Sequence, residues 1–309
     1  NIASTYVTSE TGIDFSQISS DTNGKGLYIL HGTEDEPNPI MYYLGAVENN
    51  NVMFANYCWK IVRTTETGGI KLIYNGEPDS NGQCTNTTGG TTMLPDSKFN
   101  INFTDNAYAG YMYGTPDSAT YEETHANTND SEIKKVIDTW YEENMMEYTN
   151  KLEDTIWCND RSIDPTSSGT GIGNSATEYG ANYRIYVNQT PSLACVNDND
   201  KFTVSSDNGN GALKYPVALL TADEIVYAGA VDHTVNTSYY LHNNDYWWSL
   251  SPRHFTFTSV RMLCVNEIGY FFDDYVQNWF GVRPSISLKS GIKVQSGSDG
   301  TKENPYVVL

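Results

Sequence analysis

The chain has 309 residues, 39% of them hydrophobic and 13% aromatic, and a formal charge of -20. That is enough apolar material for one large domain or two ordinary ones with a sizeable core. The charge excludes nucleic acid and anionic membrane surfaces as partners, because both need Lys and Arg to approach phosphate.

Residues 1–38 are polar and weakly patterned, and they read as an N-terminal extension to a domain over 39–309. Asp21, Asn23 and Lys25 around Gly24 resemble the first half of a calcium loop, but the twelve-residue spacing puts Gly32 where a bidentate carboxylate belongs. From Ile40 the pattern is strand-like over Ile40–Val47, Val52–Thr64 and Gly69–Tyr74, with a turn at Asn75 and Gly76. Between residues 77 and 130 short elements are punctuated by Pro78, Pro95 and Pro116.

A helix follows, because Ile133, Val136, Ile137, Trp140, Tyr141, Met145 and Tyr148 recur at three- and four-residue steps. Asn129, with Glu132 three residues on, reads as its N-terminal cap. The Gly169, Gly171 and Gly173 segment neither follows a strand nor opens a helix, so it is a loop and not a dinucleotide site. A second, shorter helix starts at Thr221, where TADE forms a capping box, and ends at Gly229. Strands then continue, with turns at Asn266–Gly269 and near Asn278. Segregated strands and helices imply an α+β fold with a mainly antiparallel sheet. No stretch of about 20 apolar residues is present to span a bilayer.

Of the five cysteines, Cys58 and Cys84 flank one loop, Cys158 and Cys195 another, and Cys264 has no evident partner. Four cysteines allow three connectivities, of which the sequential one is favoured here over reduced thiols. Such bridges imply an extracellular or cell-surface location.

The stretch from Tyr239 to Lys289 has two interleaved characters. Trp247, Trp248, Gly281, Arg283 and Pro284 read as a structural frame. Between them lie Arg253, His254, Phe257, Arg261, Leu263, Tyr270, Phe272, Asp273, Asp274, Tyr275, Gln277, Trp279 and Phe280, which follow neither strand nor helix period. Aromatics mixed with Arg, His and Asp on a rigid frame are the composition of a recognition surface.

The set NYCWKIVRTTETGGIKLIYNG, TIWCNDRS, YPVALLTADEIVYAG, DYWWSLSP, GVRPSISLKS and GTKENPYVV resembles a family of exported gut Firmicutes proteins. These are similar to the C-type-lectin fold in the branch shared by formylglycine-generating enzymes and the variable proteins of diversity-generating retroelements. The resemblance covers roughly residues 27–309. It implies a C-type-lectin-like domain of antiparallel sheets, two helices and long loops, whose last strands form a solvent-facing platform. In retroelement-diversified members, platform positions arise from Asn codons, which adenine mutagenesis turns into Tyr, His, Asp, Phe, Leu, Arg or Cys. His254, Tyr270, Phe272, Asp273, Asp274 and Tyr275 fit that set, while Met262, Gln277 and Trp279 need another origin.

Enzymatic readings find little support. The chain has no HExxH, GxSxG or phosphate-binding loop, and its five histidines are scattered. The formylglycine-generating enzymes hold copper with two cysteines near the C-terminus, and only Cys264 lies near that region here. Glu36, Pro37 and Asn38 match one calcium-lectin triplet, and Trp157, Cys158, Asn159 and Asp160 an interrupted second one. They stand far apart, so neither metal nor other cofactor is expected. The expectation is a non-enzymatic receptor or adhesin-like protein using residues 253–280 against a protein or cell-surface ligand. The alternative is a subunit of an extracellular filament or surface assembly, self-associating through the same face.

Overall fold

The computed structural model describes residues 12–30, 39–86, 89–256 and 258–309, together with a short strand at Val7–Thr8. Gly32, Glu36, Pro37, Asn38 and Phe257 lie outside the described residues.

Two mainly antiparallel sheets carry the fold, which is α+β. The first contains Gly26–Leu30, Ile40–Leu44, Asn51–Phe54, Tyr57–Thr64 and Ile70–Tyr74, joined by Ser285–Leu288 and by Tyr306–Val307 from the C-terminus. The expected Val52–Thr64 strand is instead a hairpin. Ala55 and Asn56 both have positive φ, 53° and 63°, the left-handed pair that lets a two-residue turn follow the twist of its strands. Gly26–Leu30 pairs residue for residue with Ile40–Leu44, and Tyr28 packs with Tyr42, Leu44 and Tyr227. The boundary expected after residue 38 therefore falls between two partners of one sheet, and the domain includes residues assigned to the extension.

The second sheet is built on a meander of Trp247–Thr256, Ser259–Val265 and Phe271–Tyr275, with Thr177–Glu178, Phe280–Val282 and Leu94–Ser97 added at its sides. Its second turn needs Gly269, whose φ is 68° and whose absent Cβ would fall 1.8 Å from the Asn236 carbonyl oxygen. The chain passes from the second sheet to the first between Val282 and Ser285. GVRP is thus the joint between the two layers.

The long helix runs Glu132–Asn144 and buries Ile133, Ile137, Trp140 and Tyr141, with Trp140 against Trp59, Tyr57 and Tyr74. Its cap is Ser131, whose hydroxyl accepts from the Lys134 amide, and not Asn129. Asn129 is taken by a short strand opposite Tyr113. The short helix, Ala222–Tyr227, has the expected capping box of Thr221 and Glu224. One large core connects both sheets and both helices, and within it Trp59, Trp157, Trp247 and Trp248 are fully buried. Disulfides join Cys58 to Cys84 and Cys158 to Cys195, while Cys264 is a buried free thiol. Among the described residues no helix is long and apolar enough to cross a membrane.

Candidate functional site

Strand register decides which of the candidate side chains meet. Arg261 pairs with Tyr275 and His254, and Leu263 with Asp273, so those side chains share one face of the meander. Met262 pairs with Asp274 and Cys264 with Phe272, which puts Asp274 and Phe272 on the other face. The candidate residues are thus divided between two faces.

On the first face the arginines converge. Arg253 Nη1 pairs with Asp273 Oδ1, and Arg261 Nη1 with Asp273 Oδ2 at 3.1 Å. Each guanidinium lies over a tyrosine ring, Arg253 4.2 Å from the Tyr186 centroid and Arg261 4.0 Å from that of Tyr275. Arg253 Nε also donates to Asn182 Oδ1 at 3.2 Å. From Tyr186 the ring contacts continue to His233 and on to Tyr270, both at 5.3 Å. The result is an unbroken strip: Tyr275, Arg261, Asp273, Arg253, Tyr186, His233, Tyr270.

Asp273, expected on a recognition surface, is buried. Two guanidiniums supply the partners that make this burial affordable. His254 is also buried, with Nε2 3.6 Å from Asp273 Oδ2 and Nδ1 3.4 Å from Glu178 Oε2. The Tyr186 hydroxyl is buried without a hydrogen-bond partner, and burial foremost lifts its pKa above the usual phenol range.

The opposite face is aromatic and continuous with the frame. Phe280 packs 4.6 Å from Trp248 and 5.0 Å from Tyr246, and Phe272 lies 6.3 Å from Phe280 and 6.0 Å from Tyr246. Trp248 Nε1 donates to the Ser97 carbonyl at 2.9 Å. Asp274 turns back to accept from the Tyr275 amide at 2.7 Å. Gln277 lies 3.5 Å from the Ser259 hydroxyl. Trp279 stands apart at 62% exposure, with the Lys98 ammonium 5.7 Å from its ring centroid. Gly281, Arg283 and Pro284 are all buried.

Other charged clusters are closed on themselves. Arg184 binds Asp223 through Nε and Nη2 and Asp160 through Nη1, while Glu224 Oε1 accepts from Arg63 at 2.7 Å and Lys71 at 2.9 Å. These two groups line a small polar cavity beneath the Cys158–Cys195 loop, with every charge partnered inside the protein. Asp160 of the interrupted lectin triplet is therefore held by Arg184, and Asn159 bridges the Tyr111 amide and the Leu250 carbonyl. In the candidate calcium loop, Asn23 instead exchanges hydrogen bonds with the backbone of Asp14. Among the described residues no group of three or more His, Cys, Asp and Glu side chains is placed to hold a metal ion.

Sequence reasoning missed Tyr186, Asn182, Glu178 and His233. Glu178 comes from the end of the segment read as loop, in a short strand with Thr177, and Asn182 and Tyr186 follow it in a short helix at Gly180–Asn182 continued by a wider turn over Tyr183–Val187. No local periodicity announces that this segment packs on a strand some 70 residues later. No family model, no curated protein and no solved structure matches the chain.

Proposed function

We propose that this is a non-enzymatic extracellular binding protein, a receptor or adhesin, that grips its ligand with the strip from Tyr275 to Tyr270. The observation that carries the reading is the pair of arginines held on one buried carboxylate, Asp273, and stacked on Tyr186 and Tyr275. Aromatic and Arg side chains supply most of the energy of binding surfaces, and here their rotamers are set before a ligand arrives. The motif resemblance supports the same reading, since a C-type-lectin-like frame displaying its last strands would present this face. Two disulfides fit an oxidising compartment.

A glycan array combined with a pull-down from host-cell surface proteins is the test, run on the wild type and on Tyr270→Ala and Tyr275→Ala. Binding should persist in EDTA and fall by about 1 kcal/mol or more in the variants, with the melting temperature nearly unchanged. If the variants melt early while binding per folded molecule is unaltered, the strip is core and the reading fails. A concentration-dependent oligomer that these variants dissolve would favour the filament or surface-assembly subunit instead.

A further inference from the structure

We infer that the ligand is anchored by an isolated carboxylate, of the kind a terminal acidic sugar presents, received by Arg253 and Arg261 beside Asp273. This rests on the binding reading above and names the chemistry of its ligand. The first argument is a count of donors. Each guanidinium has five N–H bonds. Those of Arg253 and Arg261 reach the two Asp273 oxygens, Asn182 Oδ1 and the Tyr275 side chain. Arg261 Nε is buried without a hydrogen-bond partner, and so is Nε2 of His254, a residue only 9% exposed. Glu178 Oε2, beside His254, is a buried acceptor without a hydrogen-bond partner, but even with it counted the N–H bonds of the two guanidiniums outnumber the acceptors they face, and a group that only accepts would redress that.

Charge and shape narrow the class. Two guanidiniums against Asp273 leave one positive charge in excess at the centre of the strip. Glu178 faces His254, not either arginine; the Oε2 on that side is buried, while its side chain as a whole is 42% exposed. Asp274 is on the opposite side of the sheet, and Asp232 pairs with His233. With one plane of each guanidinium against a tyrosine ring, the N–H bonds lie in the guanidinium plane and meet a planar carboxylate in fork geometry. The overall charge of -20 repels polyanions, which disfavours sulfated polysaccharides and acidic proteins and leaves a ligand with a single, isolated carboxylate. Half-buried Tyr270 and exposed His233, at the end of the strip, offer ring surface to the apolar face of a pyranose.

The test uses the full chain and small probes. Glucuronic acid and N-acetylneuraminic acid are titrated against their methyl esters by ligand-observed NMR, with a glutamate-terminated peptide as a further arm. The acids should bind, and the esters should bind about tenfold more weakly or worse, the loss carried by one charge-assisted hydrogen bond. Arg261→Gln should abolish the difference between acid and ester, and Arg261→Lys should retain part of it. Equal binding of acid and ester, or no response to Arg261→Gln in a variant of unchanged melting temperature, overturns the carboxylate. Capture of the peptide but neither sugar overturns the sugar. The acid–ester comparison needs no variant, so it decides even if Arg261→Gln folds poorly. Should acid and ester bind alike while Tyr275→Ala still weakens a ligand found on the array, the strip stands and only its carboxylate anchor falls.

Discussion

Arg283 lies over the indole of Trp247, its guanidinium carbon 4.8 Å from the ring centroid, and both residues are 1% exposed. No carboxylate among the described residues pairs with this buried cation. Its nitrogens instead donate to the Tyr74 carbonyl at 3.1 Å, the Leu241 carbonyl at 2.8 Å and Asn75 Oδ1 at 3.0 Å. Burial pulls its pKa down to about 10, which leaves it charged at neutral pH. Tyr74 and Asn75 end a strand of the first sheet, and Trp247 opens one of the second, so a single side chain ties the layers at the point where the chain crosses between them.

Replacing Arg283 by Met should therefore orphan three buried acceptors, at about 1 to 3 kcal/mol each before relaxation. Arg283→Lys should also destabilise, because an ammonium cannot span three acceptors spread over a fork. Urea unfolding measures both. A loss below about 1 kcal/mol for the Met variant would show that the joint does not depend on this residue.

The acid side of the stability curve should belong largely to Glu224. Burial alone would raise its pKa, but the Lys71 ammonium and the Arg63 guanidinium outweigh that and hold it at about 2, below the ordinary 4.5. A carboxyl depressed in the folded state contributes stability that is complete above its unfolded pKa and is lost as pH falls from there toward the folded value. The window is thus about pH 4.5 down to 2. Glu224→Gln should cost about 3 to 5 kcal/mol at pH 7 by stranding buried Lys71 and leaving Arg63 with Glu66 alone, and should flatten the pH dependence in that window. An unfolding free energy that falls equally steeply in wild type and variant would reassign the acid transition to other carboxylates.

The bridges Cys58–Cys84 and Cys158–Cys195 close loops with sequence separations of 26 and 37. Removing either should cost on the order of 2 to 4 kcal/mol, mostly by freeing the unfolded chain. Non-reducing peptide mapping should recover both links and leave Cys264 alkylated only after denaturation, since that thiol is buried and burial above all raises its pKa. Any link to Cys264 from folded protein contradicts the pairing.

How much of this was legible beforehand follows the range of the interactions. The TADE capping box is local, and it was readable down to the Glu224 side chain. The helix around Trp140 was readable from its period, but its cap moved from Asn129 to Ser131 because pairing with Tyr113 claims Asn129. Sheet membership of Gly26–Leu30 depends on a partner strand across an intervening segment, and a polar background hid it. The mixed composition of the candidate residues was readable along the chain, whereas their division between two faces depends on the register of Ser259–Val265 with its neighbours. The partners of Glu224, Arg63 and Lys71, lie 161 and 153 residues away, beyond any pattern in a window of sequence.

That division between faces makes the sharpest prediction for the site. Phe280 packs on Trp248 and Tyr246, and Phe272 lies beside it on the same face. Tyr275 and Tyr270 belong to the strip, where Arg261 lies over Tyr275, and Tyr270, at the edge of the strip, also stands 6.3 Å from Phe272. Phe280→Ala should therefore behave as a core truncation, costing roughly 3 kcal/mol. Trp248→Ala should cost about 3 to 5 kcal/mol, because it also abandons the bond to Ser97. Tyr270→Ala should stay within about 1 kcal/mol of wild type, since a half-exposed ring leaves little cavity behind. Thermal and urea unfolding of the three variants, followed by binding measured per folded molecule, separates the two roles. Phe280→Ala should lose stability and keep affinity, while Tyr270→Ala should do the reverse. If Phe280→Ala instead keeps its melting temperature and loses binding, the ligand approaches from the aromatic face, and the recognition surface must be moved to the side of the sheet that carries Phe272, Asp274 and Phe280.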